Sequence, residues 1–119
     1  MNYPMGEHVT GTLIYGGDGS VAVHLTQPNR GSFASADPLG GSEAEKAKAF
    51  GTTFFYFGTA TVLPGRVLHR IETCSFPNWG GTVQERYAEL KDGSLLLSTA
   101  EVDVGGRRGR LVLEWTPKR

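Results

Sequence analysis

The stretch from Arg66 to Leu90, RVLHRIETCSFPNWGGTVQERYAEL, decides how the chain folds. It reads as two strands facing each other across a turn built from Phe76-Pro77-Asn78-Trp79-Gly80-Gly81, because proline and paired glycines separate two β-prone runs. Successive strand side chains point to opposite faces. Val67, His69, Ile71 and Thr73 therefore share one face of the first strand, and Leu68, Arg70, Glu72 and Cys74 the other. In the second strand Gln84, Arg86, Ala88 and Leu90 oppose Val83, Glu85, Tyr87 and Glu89. We place the Leu90 side inward, since two carboxylates are easier to solvate than to bury. Gln84 and Arg86 then point inward with His69. A small sheet protein with such an interior is either satisfying a polar core or holding a ligand.

The 119 residues suit one domain, 1–119, with a single core. Lys plus Arg and Asp plus Glu balance at 12 each, which disfavours nucleic acid and anionic membranes as partners. The 17 glycines fall between apolar runs, the mark of a turn-rich β protein. Cys74 has no second cysteine to pair with, and the N-terminus MNYPMGEHV has neither the basic nor the apolar part of a signal peptide. A reducing, cytoplasmic location is the expectation, and no apolar run approaches bilayer length.

Around the central pair, His8 to Tyr15 and Ser20 to Thr26 form a hairpin across Gly16-Gly17-Asp18-Gly19. Gln27 to Gly41 is a loop, with Phe33 and Leu39 expected to pin it to the body. Ser42-Glu43-Ala44-Glu45 is a capping box, so a helix starts there, and Gly51 with Thr52-Thr53 ends it. Its stripe of Ala44, Ala47, Ala49 and Phe50 suits a plug or flap on one sheet end. Phe54 to Leu63 is a strand apolar on both faces, and Pro64-Gly65 turns it into the Arg66 strand. After Leu90, Lys91-Asp92-Gly93 makes a hairpin turn, Leu95 to Val104 a strand, and Gly105-Gly106 leads to a last strand ending at Trp115. This is an all-β, antiparallel up-and-down barrel or strongly curled sheet of about seven to eight strands, with one short helix after the second.

The segments GTLIYGGDGSVAVHL, FASADPLGGSEAEKAKAF, FFYFGTATV, VLHRIETCSFPNWGGTVQERY and LLLST…VGGRRGRLVLEW resemble, in order, the bacterial and fungal lipocalin-like domain family. The resemblance implies a small antiparallel lipocalin-type barrel with a cavity for an apolar small molecule. Related barrels include carriers and cofactor-free cyclases or isomerases of natural-product pathways. Family members usually begin with an additional strand carrying a Gly-Thr-Trp-like motif, which is not evident ahead of the first hairpin here. The open edge is expected to be covered by a second copy, giving a homodimer, by Met1 to Gly6, or by the helix.

His69 is the leading acid/base candidate, because imidazole titrates near neutrality; a hydrogen-bonded core histidine is the alternative. Arg86 would anchor a ligand's carboxylate, enolate or carbonyl oxygen, or else pair with Glu72 or Glu101. Gln84 adds a neutral donor and acceptor, or a structural amide. Asn78 and Trp79 sit in a turn at one barrel mouth, where the indole closes over an apolar ligand or plugs the end. Among Tyr15, Tyr56 and Tyr87, Tyr56 ranks first as a ligand contact, while His24 faces solvent. Cys74, expected to face away from His69, is a poor nucleophile. His8, His24 and His69 have no metal-ligand spacing, no glycine loop cradles phosphate, and no cofactor is implied. Arg107, Arg108, Arg110, Lys118 and Arg119 read as a solvated basic edge, and Glu72, Glu85 and Glu101 form no glycosidase-like pair. Three functions fit: a cofactor-free isomerase or cyclase acting on a polyene or polyketide-like substrate, a non-catalytic carrier or sensor, and a structural dimerisation domain.

Overall fold

The structure is a computed structural model and describes residues 8–100, 102–104 and 106–117. Strands β1 (Thr10–Tyr15) and β2 (Ser20–Thr26) form the expected hairpin, followed by helix α1 (Glu43–Gly51), β3 (Thr53–Leu63), β4 (Arg66–Cys74) and β5 (Val83–Lys91). A single 3-10 turn, Pro77–Trp79, joins β4 to β5. Then come β6 (Ser94–Ser98), β7 (Val102–Val104), β8 (Arg107–Gly109) and β9 (Val112–Trp115). Seven strands make one antiparallel sheet in the order β1-β2-β3-β4-β5-β6-β9. The sheet curls until it nearly closes, for Trp115 on β9 packs against the core of Val21 and Val23 from β2, Tyr56 from β3 and Ile71 from β4. No ladder joins β1 to β9 among the described residues, so both edges stay open. Met1 to Gly6, one of the expected covers, lies outside the described residues.

Period-2 burial follows the sequence along most of β4: Val67, His69 and Ile71 are buried. The pattern then breaks. Tyr56 pairs with Cys74 and Phe57 with Thr73, but Gly58 pairs with Ile71, leaving Glu72 as an extra residue in a β-bulge. Gly58 permits the crossing, since a Cβ there would overlap the Arg70 carbonyl oxygen. One extra residue reverses parity. Thr73, expected beside His69, is therefore exposed, and Cys74, expected to face away, packs against the core. On β5 the inward set holds at Arg86, but Leu90, on which that choice was based, is 81% exposed at the strand end.

Three other expectations change. The capping box forms, with Ser42 accepting from the Glu45 amide and Glu45 accepting from the Ser42 amide, yet no α1 residue is buried. The helix lies against β3. Phe33 packs at Gly41, whereas Leu39 is 87% exposed and pins nothing. The single strand expected over Leu95 to Val104 is divided. Buried Thr99 donates its amide to the Leu111 carbonyl at 2.9 Å, and its Oγ1 accepts from the Leu111 amide at 3.0 Å. Beyond that clasp β7 and β8 form a separate two-stranded ribbon, and β9 resumes the ladder with β6.

Candidate functional site

The register that builds the sheet sets a polar rung across an apolar interior. Ala60 on β3 and Gln84 on β5 flank His69 on β4, and Arg86 stands one rung nearer the β3–β4 turn, opposite Val67. The imidazole is 0% exposed and both its nitrogens are taken by phenols. Tyr56 Oη lies 2.6 Å from Nδ1, and Tyr15 Oη, reaching across from β1, lies 2.6 Å from Nε2. Burial, assisted by the Arg86 charge, lowers the His69 pKa from 6.5 to about 4, so the ring is neutral at physiological pH. Burial also raises the Tyr15 hydroxyl to about 12 and pushes Tyr56 upward, the latter opposed by Arg86.

Arg86 is buried without an ion pair among the described residues. Glu72, one partner the sequence offered, is exposed, and Glu101 lies outside the described residues. The guanidinium instead sits 5.6 Å over the Trp79 ring and donates to the Glu85 carbonyl at 3.0 Å, with its charge acting on Tyr56. A cation met by a carbonyl and a π-face avoids part of the cost of burial. Trp79 is part of an aromatic box with Phe54 (5.2 Å between centroids), Tyr56 (6.2 Å) and Phe76 (6.4 Å). Gln84 spends its amide on the Thr82 hydroxyl at 2.9 Å, a local tie. Asn78 is exposed in the turn, and His24 is exposed with Nε2 3.1 Å from Thr53 Oγ1. The geometry thus unites His69, Arg86, Tyr56 and Trp79, and leaves Asn78 outside.

Tyr15 is the member that residue reading ranked too low. Its strand is short and mostly exposed, and only the curl of the sheet brings it to β4. The signal available was its position: it shares the inward parity of Leu13 and pairs with buried Val21. Tyr15 also lines an open, mostly apolar cleft of about 240 Å³ with Ala60, Val62, Val67, Ala88 and Leu95. Ala60, Val67 and Ala88 neighbour the His69 and Arg86 positions in the sheet, and of the polar cluster it is Tyr15 that stands on the cleft wall. A second groove, of about 460 Å³, lies between Tyr87, Leu96, Arg110 and Val112, and does not include the cluster. Arg110 sits 5.5 Å over the Tyr87 ring there.

Among the described residues no group of three or more His, Cys, Asp or Glu could hold a metal ion, and no helix is long and apolar enough to cross a membrane. A nearly closed antiparallel barrel, polar at its centre and open through an apolar cleft, is a lipocalin-like barrel of the small-molecule-binding type. The chain belongs to the lipocalin-like domain family, whose model matches residues 1–117. It is also similar to the 4'-hydroxy-3'-methoxypropiophenone carrier protein ppsC of Aspergillus oryzae, with 31% identity over 104 residues, 80% of this chain and 94% of that protein.

Proposed function

We propose that the protein is a non-catalytic carrier that holds one largely apolar small molecule in the barrel, with Tyr15 at the ligand and His69, Arg86, Tyr56 and Trp79 as the polar and aromatic groups behind it. The observation that carries this reading is the buried Tyr15–His69–Tyr56 chain, whose Tyr15 end stands on the wall of an open, mostly apolar cleft. A purely structural core has little use for a neutral imidazole, two phenols and a buried guanidinium, because such polar groups are costly to bury. The printed name of the relative supports a carrier role and gives a first probe, its single-ring aryl ketone. Titration with that ketone, followed by tryptophan fluorescence and calorimetry, should show saturable one-to-one binding without chemical change in the recovered ligand. Absence of binding by this and related aryl ketones refutes the reading. Binding unaltered in folded Arg86→Ala and His69→Ala variants refutes the site assignment.

The second reading is a cofactor-free isomerase or cyclase for a polyene or polyketide-like intermediate. Its support is the continuous hydrogen-bonded path from Tyr56 through His69 to Tyr15, along which a proton can move. The imidazole is fully buried, so it would act only through the phenols. Turnover lost in His69→Ala while ligand affinity persists would favour this reading over transport. A homodimer formed across the open β1 and β9 edges is part of the same proposal. Light scattering should show mass doubling with concentration, and a strict monomer at high concentration removes it.

A further inference from the structure

Donors and acceptors along the central chain fix a direction. Each phenol has one proton to donate and an oxygen that can accept. A neutral imidazole carries one N–H, leaving two arrangements of the Tyr56–His69–Tyr15 chain. In one, His69 Nδ1–H donates to Tyr56 and Tyr15 donates to Nε2. Tyr56, 5% exposed, would then hold an O–H proton for which the described structure offers no other acceptor. In the other, Tyr56 donates to Nδ1 and Nε2–H donates to Tyr15. Tyr56 and both ring nitrogens are then satisfied, and the remaining unused proton belongs to Tyr15, 39% exposed on the cleft wall. Leaving a buried hydroxyl proton without an acceptor costs more than leaving one at the open cleft, so the second arrangement prevails.

A separate observation agrees in sign. Trp115 packs on the same core, and its indole N–H is buried without a protein partner. The buried polar residues among those described are His69, Arg86, Ser94 and Thr99, none of them a carboxylate. The interior offers surplus donors and lacks strong acceptors.

We infer that the cleft beside Tyr15 is the ligand seat, and that the Tyr15 hydroxyl, oriented as a donor by the chain Tyr56 to His69 to Tyr15, selects small apolar molecules bearing a neutral acceptor oxygen, such as an aryl ketone. This rests on the binding reading above and deepens it. The volume, about 240 Å³, falls below the roughly 300–1,000 Å³ of sites for drug-sized ligands, which limits the occupant to about one ring and a short chain. Tyr15 is the residue that touches the ligand; His69 and Tyr56 are positioning residues that hold its oxygen occupied and its proton outward.

Propiophenone and propylbenzene, alike in size and differing in the carbonyl, are titrated into the wild type and Tyr15→Phe. The variant should bind propiophenone roughly three- to ten-fold more weakly, the worth of one hydrogen bond, while propylbenzene stays within about two-fold. Unchanged propylbenzene binding also certifies that the variant is folded. Equal losses for both probes, or none, overturn the donor assignment while leaving the carrier reading standing. Failure of both probes to bind the wild type removes the carrier reading and this inference with it. Independently of any ligand, the nitrogen-15 shifts of His69 should report the Nε2–H tautomer. A dominant Nδ1–H tautomer reverses the chain and refutes the inference even if both probes bind.

Discussion

Lowering the pH tests the central imidazole without altering a single residue. The unfolded chain takes up a proton at His69 near 6.5, whereas the folded protein resists until about 4, because the ring is buried, both nitrogens are engaged and Arg86 stands close. The depressed folded value means that this stability is present above pH 6.5 and is lost as the pH falls toward 4. Integrating between pH 7.5 and 5.0 gives a loss of about 2 kcal/mol from this residue alone. Against a typical total of roughly 5–15 kcal/mol the change is readily measured. The carboxylates held low by hydrogen bonds, Asp18 and Glu45, have ordinary values of 3.8 and 4.5, so their contribution fades only below this interval. Urea unfolding followed by tryptophan fluorescence should show the wild-type midpoint falling by about 1 M over the interval, for a slope of about 2 kcal/mol per M. His69→Gln, which keeps one donor and one acceptor but does not titrate, should lose that slope with pH. Parallel curves for the two proteins, or an imidazole seen by NMR to titrate above pH 6, would refute the reasoning.

Gly58→Ala forces a methyl group onto the Arg70 carbonyl at the bulge and should cost at least about 2–3 kcal/mol, read as a lowered urea midpoint. Cys74, turned toward the core and with its thiol pushed up from 9.0 by burial, should react with iodoacetamide at pH 7.5 far more slowly in the folded protein than in urea. Ser42→Ala removes the cap of an exposed helix and should lose about 1 kcal/mol, seen as reduced helical signal or faster amide exchange in α1. Global stability that falls by several kcal/mol instead would mean that α1 supports the barrel more than its exposure suggests.

Local chemistry made most of the fold legible. Turn glycines and prolines marked the hairpins, alternation placed Val67, His69 and Ile71 inward, and the capping box fixed the start of α1. The misses share a cause: they depend on contacts between distant parts of the chain. The Glu72 bulge arises from how β4 crosses β3 at Gly58, and nothing local to Thr73 or Cys74 announces the reversed parity. Arg86 was placed inward because Leu90 was expected there; Arg86 is inward, beside Tyr56 and Trp79, while Leu90 overshoots the wall. The site was half visible. His69, Arg86, Tyr56 and Trp79 fell on inward or turn positions that the pattern exposes, but the partnership of Tyr15 with His69 spans 54 residues and needs the curl of the whole sheet.

The clasp between Thr99 and Leu111 brings the two ends of the β7–β8 excursion together on the barrel wall, with Arg110 reinforcing it through the Thr99 carbonyl. With both ends of that excursion secured to the wall, the intervening β7–β8 ribbon is a natural place to splice foreign sequence, whether a fluorescent reporter or a peptide for display. A design that trimmed the excursion to a tight turn would yield a shorter vessel with the same interior.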